Sequence, residues 1–187
     1  NFRGRGQTMR LQLGISSEIQ RYNFSFTEPY FLSRDVSAGF RVFKSDRSYD
    51  NQAGLETTET GLGFNLGFPL SEDGRLSLFT NFSEDKLINS STSSSVNPSY
   101  TSQKLELGYF YAVDKRDDYI DPTAGWSFSF GQDIAGPMMD VSYLRTRVRA
   151  DYYHELAEGY VFHARGKMGI INDYRSGSIN YNDRFFA

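Results

Sequence analysis

The stretch Gly61-Leu62-Gly63-Phe64-Asn65-Leu66-Gly67-Phe68 carries the pattern that decides the fold of this 187-residue chain. Large apolar side chains occupy every second position, and glycine or asparagine occupies the positions between them. Successive side chains of a β-strand point to opposite faces of the sheet. The pattern therefore predicts a strand with one apolar face and one small or polar face.

The same alternation recurs along the chain and predicts nine strands. They lie at roughly 7–17, 21–31, 36–46, 58–69, 75–88, 103–114, 125–134, 139–156 and 160–172, and no helical period interrupts them. Their length of about ten residues or more matches the ~9–11 residues that a tilted strand needs to cross a bilayer. Strands of soluble sandwiches are usually nearer 5–6 residues. The lengths favour an antiparallel transmembrane β-barrel.

The connections between the predicted strands take two forms. Short or turn-rich connections lie at 32–35, 71–74 and 157–159, whereas longer ones lie at 45–57 and 89–102. The two kinds alternate along the chain, with two exceptions. The connection 114–125 is long for the short set, and 135–137 is short for the long set. Short turns at one end and long polar loops at the other are typical of outer-membrane barrels.

The two faces of the predicted sheet differ in chemistry. One is nearly all aromatic and aliphatic, and we expect these members to face lipid: Leu62, Phe64, Leu66, Phe68, Trp126 and Phe128. The other carries charge at mid-strand, and we expect a basic group to line the lumen: Arg145, Arg147, Arg149, Arg165 and Lys167. Two hypotheses remain for that group: pairing with acidic residues outside this chain, or an anion-selective pore. A soluble sandwich, with its charged face in water, is disfavoured by strand length and by the aromatic residues near strand ends.

Composition removes several other classes of protein. Hydrophobic residues make up 39%, and no run approaches the ~20 apolar residues of a membrane-spanning helix. The chain has no cysteine, so disulfides and thiolate metal sites are excluded. The net charge of −3 does not indicate nucleic-acid binding. Only His154 and His163 could act as imidazole bases, and no serine stands in a nucleophile motif. We expect no enzyme activity, no metal site and no cofactor.

Three motifs, in order along the chain, resemble those of the BamA-type barrels of the POTRA-barrel superfamily. The first is the turn Asn1-Phe2-Arg3-Gly4-Arg5-Gly6, in which Asn1, Gly4 and Gly6 match. The second is Thr27-Glu28-Pro29-Tyr30-Phe31, which in the family closes a strand. The third is the turn Asp121-Pro122-Thr123-Ala124-Gly125 before Trp126, in which Asp121, Pro122 and Gly125 match.

This resemblance implies both a place in a barrel and a function. Residues 1–187 would form a fragment of one barrel domain, namely strands three to eleven of sixteen, with the start of the sixth extracellular loop after residue 172. Nine is an odd number where single-chain bacterial barrels have even counts, so we expect strands beyond both ends. The lateral gate and the periplasmic POTRA domains would lie outside the fragment.

The implied function is insertion and folding of client β-barrels in the bacterial outer membrane. The expected partners are outer-membrane lipids, unfolded outer-membrane proteins, and accessory lipoproteins bound through the periplasmic domains, with no nucleic acid and no cofactor. The alternatives left open are a porin or transport barrel, and a TamA-like translocation or secretion barrel.

Overall fold

The chain is all-β in a computed structural model that describes residues 6–48, 55–89, 99–136, 139 and 142–174. The strands are β1 (Thr8–Ile15), β2 (Ile19–Glu28), β3 (Ser37–Ser48), β4 (Leu55–Pro69), β5 (Gly74–Asn89), β6 (Tyr100–Asp114), β7 (Gly125–Ala135), β8 (Tyr143–Ala157) and β9 (Tyr160–Asp173). Each pairs antiparallel with the next in chain order, in one nine-stranded sheet with β1 and β9 at its edges. In these described ranges no helix is long and apolar enough to span a membrane. The predicted all-β antiparallel architecture is confirmed.

The ends of several strands differ from the prediction. β2 ends at Glu28 rather than near residue 31, because Pro29 cannot donate to the ladder. A short 3₁₀ turn at Phe31–Ser33 follows it. β3 and β4 extend past the apolar alternation, to Ser48 and from Leu55 respectively, so the predicted loop 45–57 is shorter than expected.

Pairing across the sheet places the apolar side chains on one face. Directly opposed residues share a face, and Phe40 pairs with both Phe26 and Phe64, while Val42 pairs with Leu62. Further along, Trp126 opposes Tyr152 and Phe128 opposes Ala150. We call this the apolar face, and it carries all six residues that were predicted to face lipid: Leu62, Phe64, Leu66, Phe68, Trp126 and Phe128.

The other surface, here called the polar face, is the more enclosed of the two. Asp133 on the polar face is 1% exposed, whereas Phe64 on the apolar face is 54% exposed. This is the reverse of a soluble domain, where large apolar side chains are the buried ones. A flat sheet of one layer would leave both faces equally open, so the enclosure indicates that the sheet curls towards its polar face.

Glycine allows aromatic side chains to fit on the enclosed face. Three directly opposed pairs put a phenylalanine against a glycine of the next strand: Phe43 with Gly61, Phe79 with Gly108, and Phe110 with Gly131. A Cβ atom added to Gly108 would lie 2.5 Å from Cζ of Phe79. Each glycine therefore provides the space that the opposing ring occupies, on the side where curvature crowds side chains together.

Candidate functional site: an ion network on the polar face

The most enclosed charges of the polar face lie on three neighbouring strands. Asp133 on β7 accepts a hydrogen bond from Nη2 of Arg147 on β8, at 2.8 Å to Oδ1. Nη2 of Arg145 lies 2.9 Å from Oδ2 of Asp133 and donates to Oε1 of Glu106 on β6 at 3.1 Å. The Tyr143 hydroxyl also donates to Oε1 of Glu106. Each of these buried carboxylates thus has a charged or hydroxyl partner on β8, as buried charges require.

A second carboxylate organises the next part of the polar face. Asp151 on β8 accepts from Nε of Arg149 at 2.7 Å and from Nε of Arg165 on β9 at 2.5 Å. Nε2 of His163 lies 3.0 Å from Oδ1 of Asp151, and its ring stacks on Tyr153 with centroids 4.3 Å apart. The contacts link β8 to the sheet edge at β9.

The network continues towards the long-loop end of β5 and β6. Nζ of Lys104 lies 3.8 Å from Oδ2 of Asp85 and 4.0 Å from Oε1 of Glu106. All three side chains are buried. Charge contacts therefore occur on every strand from β5 to β9 on this face. A low local dielectric strengthens those between buried side chains, such as Lys104 with Asp85.

Four of the five predicted basic residues pair within the chain. Arg145 and Arg147 share Asp133, while Arg149 and Arg165 share Asp151. The hypothesis that their acidic partners lie outside this chain is therefore wrong for these four. Lys167 opposes Arg149 on the same face; none of the ion pairs among the described residues includes it.

Two of the family motifs meet at the start of β1. Gly6 has a φ of +75°, which favours glycine, and a Cβ atom added there would lie 3.1 Å from Cγ of Pro29. Nε2 of Gln7 donates to Oε2 of Glu28 at 2.5 Å, and the backbone N–H of Tyr30 donates to Oε1 of Glu28 at 3.1 Å. Glu28 therefore ties the two chain segments together beside this turn.

Two other members of the second motif lie on either side of Pro29. Thr27 is the last paired residue of β2 against Thr8 of β1. Phe31 opens the 3₁₀ turn, and its backbone N–H donates to the carbonyl of Val36 at 2.8 Å. The bond between Phe31 and Val36 closes the turn between β2 and β3.

The third motif forms a separate hairpin between β6 and β7. Gly125 has a φ of +100°, and an added Cβ atom would lie 2.1 Å from the carbonyl oxygen of Lys115. Asp121 donates its backbone N–H to Oδ1 of Asp118 at 2.9 Å, and Pro122 follows it in the loop. Three strands, β3 to β5, separate this hairpin from the Gly6–Pro29 contact.

Asp117 organises the tip of the β6–β7 hairpin. It accepts from the hydroxyl of Thr123 at 2.5 Å and from the backbone N–H of Ala124 at 3.0 Å. Because these bonds favour the charged carboxylate, with the Thr123 hydroxyl contributing most, the pKa of Asp117 falls to about 2. The turn is built on local hydrogen bonds as well as on its proline and glycine.

Some sequence predictions fall outside the described residues. Asn1 and Gly4 of the first motif are among them, and so are residues 175–187 of the predicted extracellular loop. Asp133, in contrast, is described, and sequence reasoning did not single it out. The alternation of β7 could have identified it, because Asp133 continues the series Ser127, Ser129 and Gly131 and therefore lies on the same face.

Comparisons with known proteins agree with this geometry. The Omp85 superfamily domain matches residues 1–187. The outer membrane protein assembly factor BamA of Neorickettsia risticii (strain Illinois) is 24% identical over 190 residues, covering 100% of this chain and 26% of that protein. BamA of Neisseria meningitidis serogroup B is 22% identical over 212 residues, with the same 100% and 26% coverage. The chain thus spans about a quarter of the length of these curated relatives.

A solved structure has the same fold. The crystal structure of BamA from Haemophilus ducreyi lacking POTRA domains 1–3 matches with a TM-score of 0.84 at 21% identity, over 98% of this chain and 39% of that one. The resemblance predicted from the three motifs is confirmed, and the sheet is part of a bacterial outer-membrane β-barrel. Because the family domain matches over its whole length, this chain belongs to the Omp85 superfamily.

Proposed function

We propose that the protein containing this chain inserts and folds β-barrel proteins in the outer membrane. The observation that carries the proposal is the match of the Omp85 superfamily domain over residues 1–187. Two relatives matched over the whole of this chain are named outer membrane protein assembly factors. The curled sheet, with its polar face enclosed, is the barrel wall that such a protein needs.

We place the chain within one barrel domain as strands three to eleven of sixteen, with the sixth extracellular loop starting after residue 172. In this placement the apolar face meets lipid and the polar face lines the lumen. Lipid supplies no hydrogen bonds, so exposed Phe64 and Leu66 suit it, whereas the enclosed Asp133 and Asp151 suit the interior. The short turns lie in the periplasm and the longer connections outside the cell.

The ion network makes this part of the barrel a fixed wall. Glu106 of β6 and Asp133 of β7 both contact Arg145 of β8, and Asp151 of β8 contacts Arg165 of β9. If these β-strands separated, the charges would lose their partners, which is costly in an enclosed site. A seam that opens for clients therefore lies elsewhere in the barrel, where client strands add to an unpaired edge by β-augmentation.

The partners in this proposal are outer-membrane lipids, unfolded outer-membrane proteins, and accessory lipoproteins that bind periplasmic domains outside this chain. The process needs no nucleotide, metal or other cofactor, and the protein is not an enzyme. His163 contacts Asp151 and Tyr153 on the polar face. Nor do the arginines favour an anion-selective porin, since Arg147, Arg149 and Arg165 are already paired with carboxylates.

The proposal is tested by reconstituting the whole parent protein, with its periplasmic domains, in phospholipid vesicles. A urea-denatured outer-membrane barrel is added, and its folding is followed by the change in gel mobility of the unheated sample. The proposal predicts faster folding than in protein-free vesicles and in vesicles that contain a porin of similar size. Folding at the protein-free rate, together with steady ion conductance, would instead identify a porin.

A further inference from the structure

The apolar face carries an open groove between β6 and β9. Its volume is about 710 Å³, within the ~300–1,000 Å³ range of small-ligand sites. Tyr111 and Trp126 stand among the aromatic residues that line it, and Ala150, Ala164 and Gly166 provide the small ones. The lining is mostly apolar, which suits a hydrocarbon ligand.

Strand pairing explains the shape of the groove. Phe128 of β7 opposes Ala150 of β8, which in turn opposes Gly166 of β9. Side-chain size therefore decreases along this row, from a phenyl ring to a methyl group and then to a hydrogen atom. A Cβ atom added to Gly166 would meet nothing within 4 Å, so its place is open space. The depression comes from this size gradient, and its floor is β8 and β9.

A cation stands at the short-turn end of the groove. Lys115 follows β6 directly, and its backbone N–H donates to the carbonyl of Trp126 at 2.8 Å. Its exposed Nζ lies 6.0 Å from the centroid of the Trp126 ring. Tryptophan and lysine at a strand end are the residues that sit at the headgroup level of a bilayer. An apolar groove thus ends beside a positive charge.

We propose that this groove is a specific phospholipid site, with an acyl chain along Ala150 and Gly166 and the lipid phosphate beside Lys115. The lipid comes from the leaflet at the short-turn end, because Lys115 lies at that rim. The proposal goes beyond client folding, and it rests on the placement of the apolar face in lipid. Continuity of the groove with that face and the charge of Lys115 argue for a phospholipid rather than a protein segment.

Native mass spectrometry of the whole parent protein tests the site. The protein is released from micelles that contain phosphatidylglycerol, and the fraction that retains one lipid is measured. We expect Lys115→Gln to lower that fraction about fivefold, the effect of one basic residue near an anionic lipid surface. Gly166→Leu, which fills the floor, should abolish the retained lipid.

Matched controls lie on the same face. Lys86→Gln removes a lysine of the apolar face at the long-loop end of β5. Ala38→Leu enlarges a small residue of the same face on β3. Both should retain the lipid like the unchanged protein, and gel mobility verifies that every variant is folded. Equal loss in the controls, or unchanged retention in Lys115→Gln and Gly166→Leu, would overturn the proposal. Client folding by the same variants in phospholipid vesicles separates failure of this site from failure of the assembly function.

Discussion

Replacement of Asp133 by asparagine should destabilise the barrel, because this buried carboxylate contacts two arginines. The substitution keeps the size of the side chain and removes the charge that Arg145 and Arg147 share. Asp133 itself is 1% exposed, so neither water nor a shift of its own side chain can replace the lost contacts.

The size of the effect follows from the exposure of the two arginines. The Arg147 side chain is 46% exposed and regains water, so its pair contributes about 0–1 kcal/mol. The Arg145 side chain is 17% exposed, and among the described residues Glu106 is then its remaining charged partner. Breaking a buried pair from one side costs about 3–5 kcal/mol, and because Arg145 keeps Glu106 we expect a loss near 3 kcal/mol.

Urea unfolding of the whole barrel in lipid vesicles measures this loss. Asp46→Asn is the matched control, since its pair with Lys44 is far more exposed and should cost less than about 1 kcal/mol. A double variant that also carries Arg145→Gln should cost at least about 0.5 kcal/mol less than the sum of the single changes. Equal losses in Asp133→Asn and Asp46→Asn, or strict additivity in the double variant, would refute the reasoning.

Three further changes test other parts of the structure. Phe64→Arg should lower the free energy of unfolding by about 2–4 kcal/mol if its face meets the bilayer centre; Asn65→Arg, on the opposite face, should cost less, and equal losses would reject the assignment. Gly125→Ala should cost about 1–3 kcal/mol because its φ is +100°, and an unchanged urea midpoint would contradict this. Since the pKa of Asp117 lies at about 2, below its unfolded value near 4, its stabilising effect is present above about pH 4 and is lost as pH falls through 2. The carbon-13 shift of that carboxyl should titrate near pH 2 in the folded protein and at a higher pH in Thr123→Ala, which loses the hydroxyl bond and keeps the backbone bond from Ala124; the same midpoint in both proteins would rule out the proposed role of the hydroxyl.

The alternation of side chains was sufficient to predict the strands and their faces. Leu62 to Phe68 and Arg145 to Arg149 lie on the faces that the sequence predicted, because the side-chain period of a strand is fixed by its backbone. Strand ends were less predictable. Beyond the apolar segment the ladder continues through polar pairs such as Asp46 with Thr58, where hydrophobic alternation no longer marks a strand.

The ion network could be predicted only in part. The face of each arginine follows from alternation, but its partner depends on register. Asp133 opposes Arg145 only because of how β7 and β8 are aligned across the connection after residue 135. Alternation excludes a shift of one residue, which would move every side chain to the other face. A shift of two residues would keep the faces and give Arg145 a different partner, and alternation does not exclude it.

A nitroxide scan along β4 tests most directly whether the apolar face meets lipid. Because this chain has no cysteine, single cysteines from position 62 to 68 can be labelled one at a time in the whole barrel, after any cysteine elsewhere in the protein has been replaced. Collision with lipid-soluble oxygen should be high at the even positions, which include Phe64 and Leu66, and low at the odd positions. Collision with an aqueous nickel chelate should not rise at the even positions. A profile without a period of two, or with nickel access highest at Phe64 and Leu66, would contradict the placement of this sheet in the membrane.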